Sequence, residues 1–170
     1  MSNTTDTFNL RNIERFEWQA ISAIEAACFP PHEACQPDDV KATIKAAPQM
    51  CLVAEHCETG EIAGFLNGIA TAETAFRDEF FTDSTLHDHQ GEHVMLLGLA
   101  VLPKYRGNGL ARRLVEEYKV RAKNNERKTL TLTCLDDKVN MYKNMGFHDK
   151  GLAQSTWGNE VWHEMYYILQ

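Results

Sequence analysis

One stretch limits the folds open to this chain more than any other. It is the apolar run Leu96-Leu97-Gly98-Leu99-Ala100-Val101, a turn carrying Arg106-Gly107-Asn108-Gly109, and an amphipathic segment from Leu110 onward. The run is hydrophobic at successive positions, as a strand covered on both faces must be. From about Gly109 to Asn124, Leu110, Leu114 and Tyr118 recur at helical spacing, and the stem of Arg121 extends the stripe. Such a unit also builds an anion site. The N–H groups of the turn and of the first helical turn lack internal acceptors, and the helix dipole favours negative charge there. Gly107 and Gly109 permit close approach, although a bare Gly-x-Gly also serves tight turns that bind nothing.

Around this unit the chain alternates strand and helix signals. Phe8–Ile13 alternates as a first strand, and Glu14–Phe29 carries Phe16, Ile21, Ile24 and Ala27 at helical spacing before Pro30-Pro31 stops it. Residues 36–46 read as a short helix with Pro37 in its first turn, and residues 50–55 and 61–69 as a hairpin across Cys57-Glu58-Thr59-Gly60. Thr71–Glu92 is a long polar stretch with one helical turn near Phe76–Phe81, a candidate substrate lid. Strand Thr129–Leu135, helix Asp137–Met145 and strands Phe147–Ala153 and Val161–Leu169 close the chain. The order predicts an α/β fold with a mixed, mostly antiparallel sheet flanked by helices. Gly98, inside a bulky strand, marks a bulge or a close backbone approach.

At 170 residues, 44% of them hydrophobic, the chain is expected to form one domain, residues 1–170. Lys and Arg number 17 against 24 Asp and Glu, and the net charge of −7 repels a phosphate backbone, so nucleic acid is not an expected partner. The run Val94–Leu102 is about half the roughly 20 residues of a membrane span. Residues Met1–Leu10 are polar and unlike a signal peptide, which predicts a cytoplasmic location. Five cysteines without a C-x-x-C pair read as reduced thiols. His87, His89 and His93 cluster, but no Cys or carboxylate at ligand spacing completes a zinc set, so no metal is expected.

Two better-known phosphate loops fail on inspection. A Walker loop needs Gly-Lys-Ser/Thr, and Leu110 follows Gly109. A dinucleotide fingerprint needs a small residue where Arg112 stands. What remains is Arg-x-x-Gly-x-Ala at Arg106, Gly109 and Ala111, preceded by Val101-x-Pro103-x-Tyr105, with Tyr142-Lys143-Asn144-Met145-Gly146-Phe147 further on. Both motifs, at this separation, resemble those of the GNAT superfamily of N-acyltransferases. Within it, Cys28-Phe29-Pro30-Pro31-His32-Glu33, Leu99-Ala100-Val101 and Thr133-Cys134-Leu135-Asp136 resemble the arylalkylamine (serotonin) N-acetyltransferases. The likeness spans Ile13–Tyr167. Met95 and Leu97 stand where the vertebrate enzymes carry two histidines, so the resemblance is to a non-vertebrate type without that pair.

The resemblance implies the GNAT acyl-CoA N-acyltransferase fold and an acetyl-CoA-dependent acetyl transfer to a primary amine, without a covalent enzyme intermediate. It places the pantetheine arm along Leu99, Ala100 and Val101, and the pyrophosphate at Arg106, Gly107, Asn108, Gly109, Leu110, Ala111 and Arg112. Asn140 matches a further coenzyme-contacting position. Tyr142 matches the tyrosine that protonates the coenzyme A thiolate. For the general base the residues offer Glu33 in the Pro-rich loop, and Glu92 or His93 before the apolar strand, each also readable as a solvated surface group. Acetylation of a polyamine or a protein N-terminus, a non-catalytic acetyl-CoA-binding module, and transfer through Cys134 are the alternatives. A homodimer is compatible with the chain. Phe29, Phe65, Phe76, Phe80, Phe81, Trp157 and Trp162 are candidates to line the amine pocket.

Overall fold

Strand β3 (Ile62–Thr71) is buried at all ten positions, and the rest of the sheet is arranged around it. The computed structural model describes residues 7–170; residues 1–6 of the polar N-terminal segment lie outside them. Strands β1 (Phe8–Asn12), β2 (Cys51–His56), β4 (His93–Val101), β5 (Thr129–Cys134), β6 (His148–Leu152) and β7 (His163–Ile168) complete one sheet in the order β1-β2-β3-β4-β5-β7-β6. Every pairing is antiparallel except β4 with β5. The mixed, mostly antiparallel sheet expected from the sequence is the one found.

Helices α1 (Trp18–Cys28) and α2 (Pro37–Ala46) cover one face, packing Ile21, Ile24, Val40 and Ile44 against Val53, Phe65 and Ala100. Helices α4 (Leu110–Asn124) and α5 (Val139–Asn144) cover the other, with Leu114, Tyr118 and Val139 in one core with Leu66, Leu96 and Leu132. The short α3 (Glu79–Thr82) lies in the segment between β3 and β4. Among the described residues no helix is long and apolar enough to cross a membrane.

Two stripes differ from the sequence reading. In the stretch read as the first helix, Phe16 is 79% exposed and Ala27 is exposed, while Ile21, Ile24 and Glu25 are buried. Phe16 belongs to a separate 3-10 turn, Arg15–Glu17, closed by a reciprocal Glu14–Glu17 capping box, so α1 starts in a new phase at Trp18. In α4 the inward face adds Val115, Lys119 and Ala122, whereas the Arg121 guanidinium reaches Asn12 Oδ1 on edge strand β1 at 3.1 Å.

The segment read as a candidate lid is anchored by three phenylalanines. Phe76, Phe80 and Phe81 are buried together with Ile69 and Met95. The Asp78 carboxylate accepts from the Ser155 hydroxyl and the Thr156 N–H. His87 Nδ1 accepts from the Ala70 N–H at 3.1 Å and His93 Nδ1 lies 2.7 Å from Thr129 Oγ1, so these histidines are engaged locally.

The core leaves little slack at Gly68, where an added Cβ would stand 2.6 Å from the Tyr118 hydroxyl oxygen and 3.1 Å from the Met95 carbonyl. That hydroxyl donates to the Met50 carbonyl at 2.8 Å. Gly68→Ala is expected to cost about 1–3 kcal/mol of stability, read as a lower urea midpoint with an unchanged slope.

Candidate active site

Strands β4 and β5 pair at only three positions, His93, Val94 and Met95 with Thr129, Leu130 and Thr131. Beyond them the strands part, and a cavity of about 810 Å³ lies between Leu96–Val101 and Leu132–Leu135. A bulge accompanies the parting. The β3–β4 register passes from Gly68 opposite Leu96 to Asn67 opposite Gly98, leaving Leu97 as the extra residue, and a bulge bends its strand. Leu97 packs near Phe81 and Trp157. A Cβ on Gly98 would meet Glu25 Oε1 at 2.9 Å and the Phe65 ring at 3.2 Å. Leu97 and Gly98 therefore face the α1 side in succession, while Leu99 turns to the opposite core. Gly98 is thus both next to a bulge and a close-approach point.

At the end of β4 a 3-10 turn, Pro103–Tyr105, leads into the glycines. Gly107 and Gly109 have φ of +84° and +72°, and a Cβ on either would touch nothing within 4 Å. Glycine is needed there for its left-handed backbone, not for space. Gly109 caps α4, its carbonyl accepting from the Arg113 N–H at 3.0 Å. The N–H groups from Gly107 to Arg112 have no acceptor among the described residues. They form a row of free donors at a helix N-terminus. Arg106 Nε donates to the Val101 carbonyl at 3.0 Å and Arg112 to the Asn144 carbonyl at 3.2 Å, which fixes both guanidiniums at the rim.

Leu99, Ala100, Val101, Arg106, Gly107 and Gly109 line the cavity, as do Leu110, Ala111, Arg112, Glu33 and Tyr142. Asn108 and Asn140 do not line it: Asn108 donates to the Tyr105 carbonyl at 2.9 Å, and Asn140 is exposed on α5. Glu92 pairs with Lys128 at 3.0 Å, and both Glu92 and His93 lie at the paired end of β4. At about 3.3 Å per residue, His93 is roughly 16 Å along the strand from Gly98. Neither Glu92 nor His93 reaches the cleft. Of the aromatic candidates, Phe29, Phe81, Trp157 and Trp162 line the cavity, while Phe65, Phe76 and Phe80 are core.

The Tyr142 ring packs edge-on against Phe147 with centroids 5.7 Å apart. Burial pushes its phenol well above the ordinary value, so the group keeps its proton at neutral pH. Burial likewise pushes the Cys134 thiol up to about 12, which removes the thiolate that a nucleophile requires.

Glu25 is a candidate functional residue that sequence reasoning missed. It lies on α1 four residues after Ile21, is 4% exposed, lines the cavity and accepts from the Cys35 N–H at 3.3 Å. Burial is the main cause of its pKa rising to about 7, against the smaller lowering by that bond. A carboxyl so poised accepts a proton near neutrality. The available signal was a Glu inside the apolar stripe once the helix is phased from Ile21. Glu33 stands at the mouth, 3.4 Å from His32 Nε2, with Glu160 3.6 Å from the same nitrogen. Burial first, then Glu160, raise the Glu33 pKa. The Trp157 indole donates to the Glu33 carbonyl at 2.8 Å, joining the two loops that edge the mouth.

The sequence matches the model of the acetyltransferase (GNAT) family over residues 18–147. No curated protein matches it. Among solved structures, it superposes on the loading GNATL domain of CurA from Lyngbya majuscula with a TM-score of 0.81 and 16% identity, covering 96% of this chain and 98% of that one. The GphF GNAT-like decarboxylase in complex with isobutyryl-CoA gives 0.78 and 18%, over 95% and 100%. The yncA protein of Salmonella typhimurium with its cofactor acetyl-CoA gives 0.67 and 17%, over 99% and 95%. At such identities the likeness is one of fold.

The buried Glu25 has a consequence for stability. Its folded pKa of about 7 lies above the unfolded value of about 4.3, so the native state holds the extra proton between those values and stability falls as pH rises through them. Glu25→Gln removes that slope. The variant is expected to match the parent near pH 4 and to exceed it by up to roughly 3 kcal/mol at pH 8, read by urea unfolding across the range.

Proposed function

The chain belongs to the acetyltransferase (GNAT) family, and from that premise we propose that it moves an acetyl group from acetyl-CoA directly to a small primary amine of the arylalkylamine class. One observation carries the reading: a row of free N–H donors, Gly107 to Arg112, ends a strand whose neighbour has parted from it, with the Tyr142 phenol and the Glu25 carboxyl both on the cavity wall. The donors fit the diphosphate of acetyl-CoA, and Arg106 and Arg112 add positive charge. The unpaired edge of β4 from Leu96 to Val101 suits the amides of the pantetheine arm, which replace a missing strand. Two of the similar structures hold an acyl-CoA, which supports the choice of this ligand.

The amine arrives protonated, because a primary alkylamine has a pKa near 10.4 and reaching the free base at pH 7 costs roughly 4–5 kcal/mol. Glu25 takes that proton. The nitrogen lone pair then attacks the thioester carbonyl, and backbone N–H groups of the bulged strand stabilise the oxyanion. As the intermediate collapses, the carbon–sulfur bond breaks and Tyr142 gives its proton to the leaving thiolate; the nitrogen's second proton restores the phenol. One proton leaves per turnover. The acceptor end carries Phe29, Phe81, Trp157 and Trp162, suited to an aromatic ring, with Glu33 at its mouth to draw in a cation. Five free cysteines suit a reducing compartment such as the cytoplasm.

Coenzyme A release, assayed over arylalkylamines, polyamines and short peptides, is expected to favour the first group. Tyr142→Phe is expected to lower kcat by about 10²–10⁴-fold while the affinity for acetyl-CoA, measured by calorimetry, stays near the parent value. Turnover at the parent level across pH removes Tyr142 from the role.

A further inference from the structure

Behind the bulge, on the side away from Tyr142, lies a second and much smaller pocket of about 20 Å³, lined by Glu25, Asp39, Thr43, Asn67 and Gly98 among others. A water needs roughly 10–15 Å³ of such space and two to four polar partners. The lining supplies them. Asn67 is 6% exposed, and its Oδ1 is buried without a hydrogen-bond partner, and an unpaired buried acceptor costs about 1–3 kcal/mol. Thr43 is 5% exposed and offers a hydroxyl, and Glu25 is 4% exposed. Asp39, in the first turn of α2, is the half-exposed polar residue of the lining.

Resting on the reading of Glu25 as base, we propose that this pocket holds a water that bridges Glu25 and Asn67 and passes the abstracted proton to Asp39, the surface acceptor. Glu25 touches both cavities. With acetyl-CoA and the amine filling the larger one, the smaller is its way to solvent. The protonated Glu25 gives its proton to the water. The water gives one of its own to the Asp39 carboxylate, and Asp39 loses it to buffer, so that no charge is left behind. Asn67 is a positioning residue that holds the water by accepting its other hydrogen. Burial and the neighbouring Asp38 raise the Asp39 pKa above that of an ordinary aspartate, which brings donor and acceptor closer in proton affinity.

The experiment compares kcat in dilute buffer with kcat at raised imidazole, at saturating acetyl-CoA and amine. Asp39→Asn and Asn67→Leu are expected to lose several-fold in kcat with the KM for acetyl-CoA unchanged. Imidazole, an external base, is expected to restore Asp39→Asn but not Glu25→Gln. If Asp39→Asn and Asn67→Leu turn over at the parent rate in dilute buffer while Glu25→Gln is inactive, the relay is overturned and the base stands. If Glu25→Gln is as active as the parent, both fall. Should Asn67→Leu fail to fold, rescue of the near-surface Asp39→Asn variant decides alone.

Discussion

The structure depends on a partnership that stops early. Parallel strands β4 and β5 hold each other for three residues and then separate, so the backbone of β4 from Leu96 to Val101 has one edge paired to β3 and the other facing a cavity. Unpaired backbone groups in a protein interior are costly unless water or a ligand satisfies them. A sheet opened in its middle is therefore a binding site before any side chain is considered. The edges remain safe from association because the gap is internal, walled by α4 and α5 on one side and by α1 and the Phe76–Phe81 segment on the other.

Charge is divided in a matching way. The molecule is acidic overall, yet the turn at the end of β4 gathers Arg106 and Arg112 beside free N–H donors. Carboxylates occupy the other end of the cavity, where Glu25 and Glu33 lie among aromatic rings. Positive and negative groups are thus separated along one cleft, as the proposed polyanionic donor and cationic acceptor require. Long-range attraction of the cation by the acidic surface does not compete with local binding of the phosphates, since salt screens the former over about 8–10 Å.

Much of this was legible in the sequence because it rests on local backbone chemistry. Gly107 and Gly109 announce a left-handed turn, the apolar run before them announces a central strand, and together they mark Arg106–Arg112 as the candidate anion site. Tyr142 is singled out by its motif, and it stands on the cavity wall, on the helix that Val139 anchors. Glu25 was not found, since its role depends on the phase of α1. Counting Phe16 as part of that helix turns the stripe toward Ala27, whereas the 3-10 turn at Arg15–Glu17 resets it and brings Glu25 inward. Glu92 and His93 were drawn in by sequence proximity to the apolar strand. Distance along an extended strand carries them to its far end, which linear proximity conceals.

The bulge at Leu97 ties these parts together. In a regular strand Gly98 would face α4 and Leu99 would face α1, with alternate side chains on alternate faces. The extra residue inverts that alternation, so that the one position without a side chain meets Glu25, and Leu99 fills the core under α4. A carboxylate can approach the strand only where no Cβ stands, and it is the strand's inversion that puts glycine at that spot. The same displacement leaves Asn67, the bulge's partner on β3, aimed into the space behind Gly98. One inserted residue beside the cleft thus lets Glu25 reach the strand from the side and leaves a polar pocket at the back.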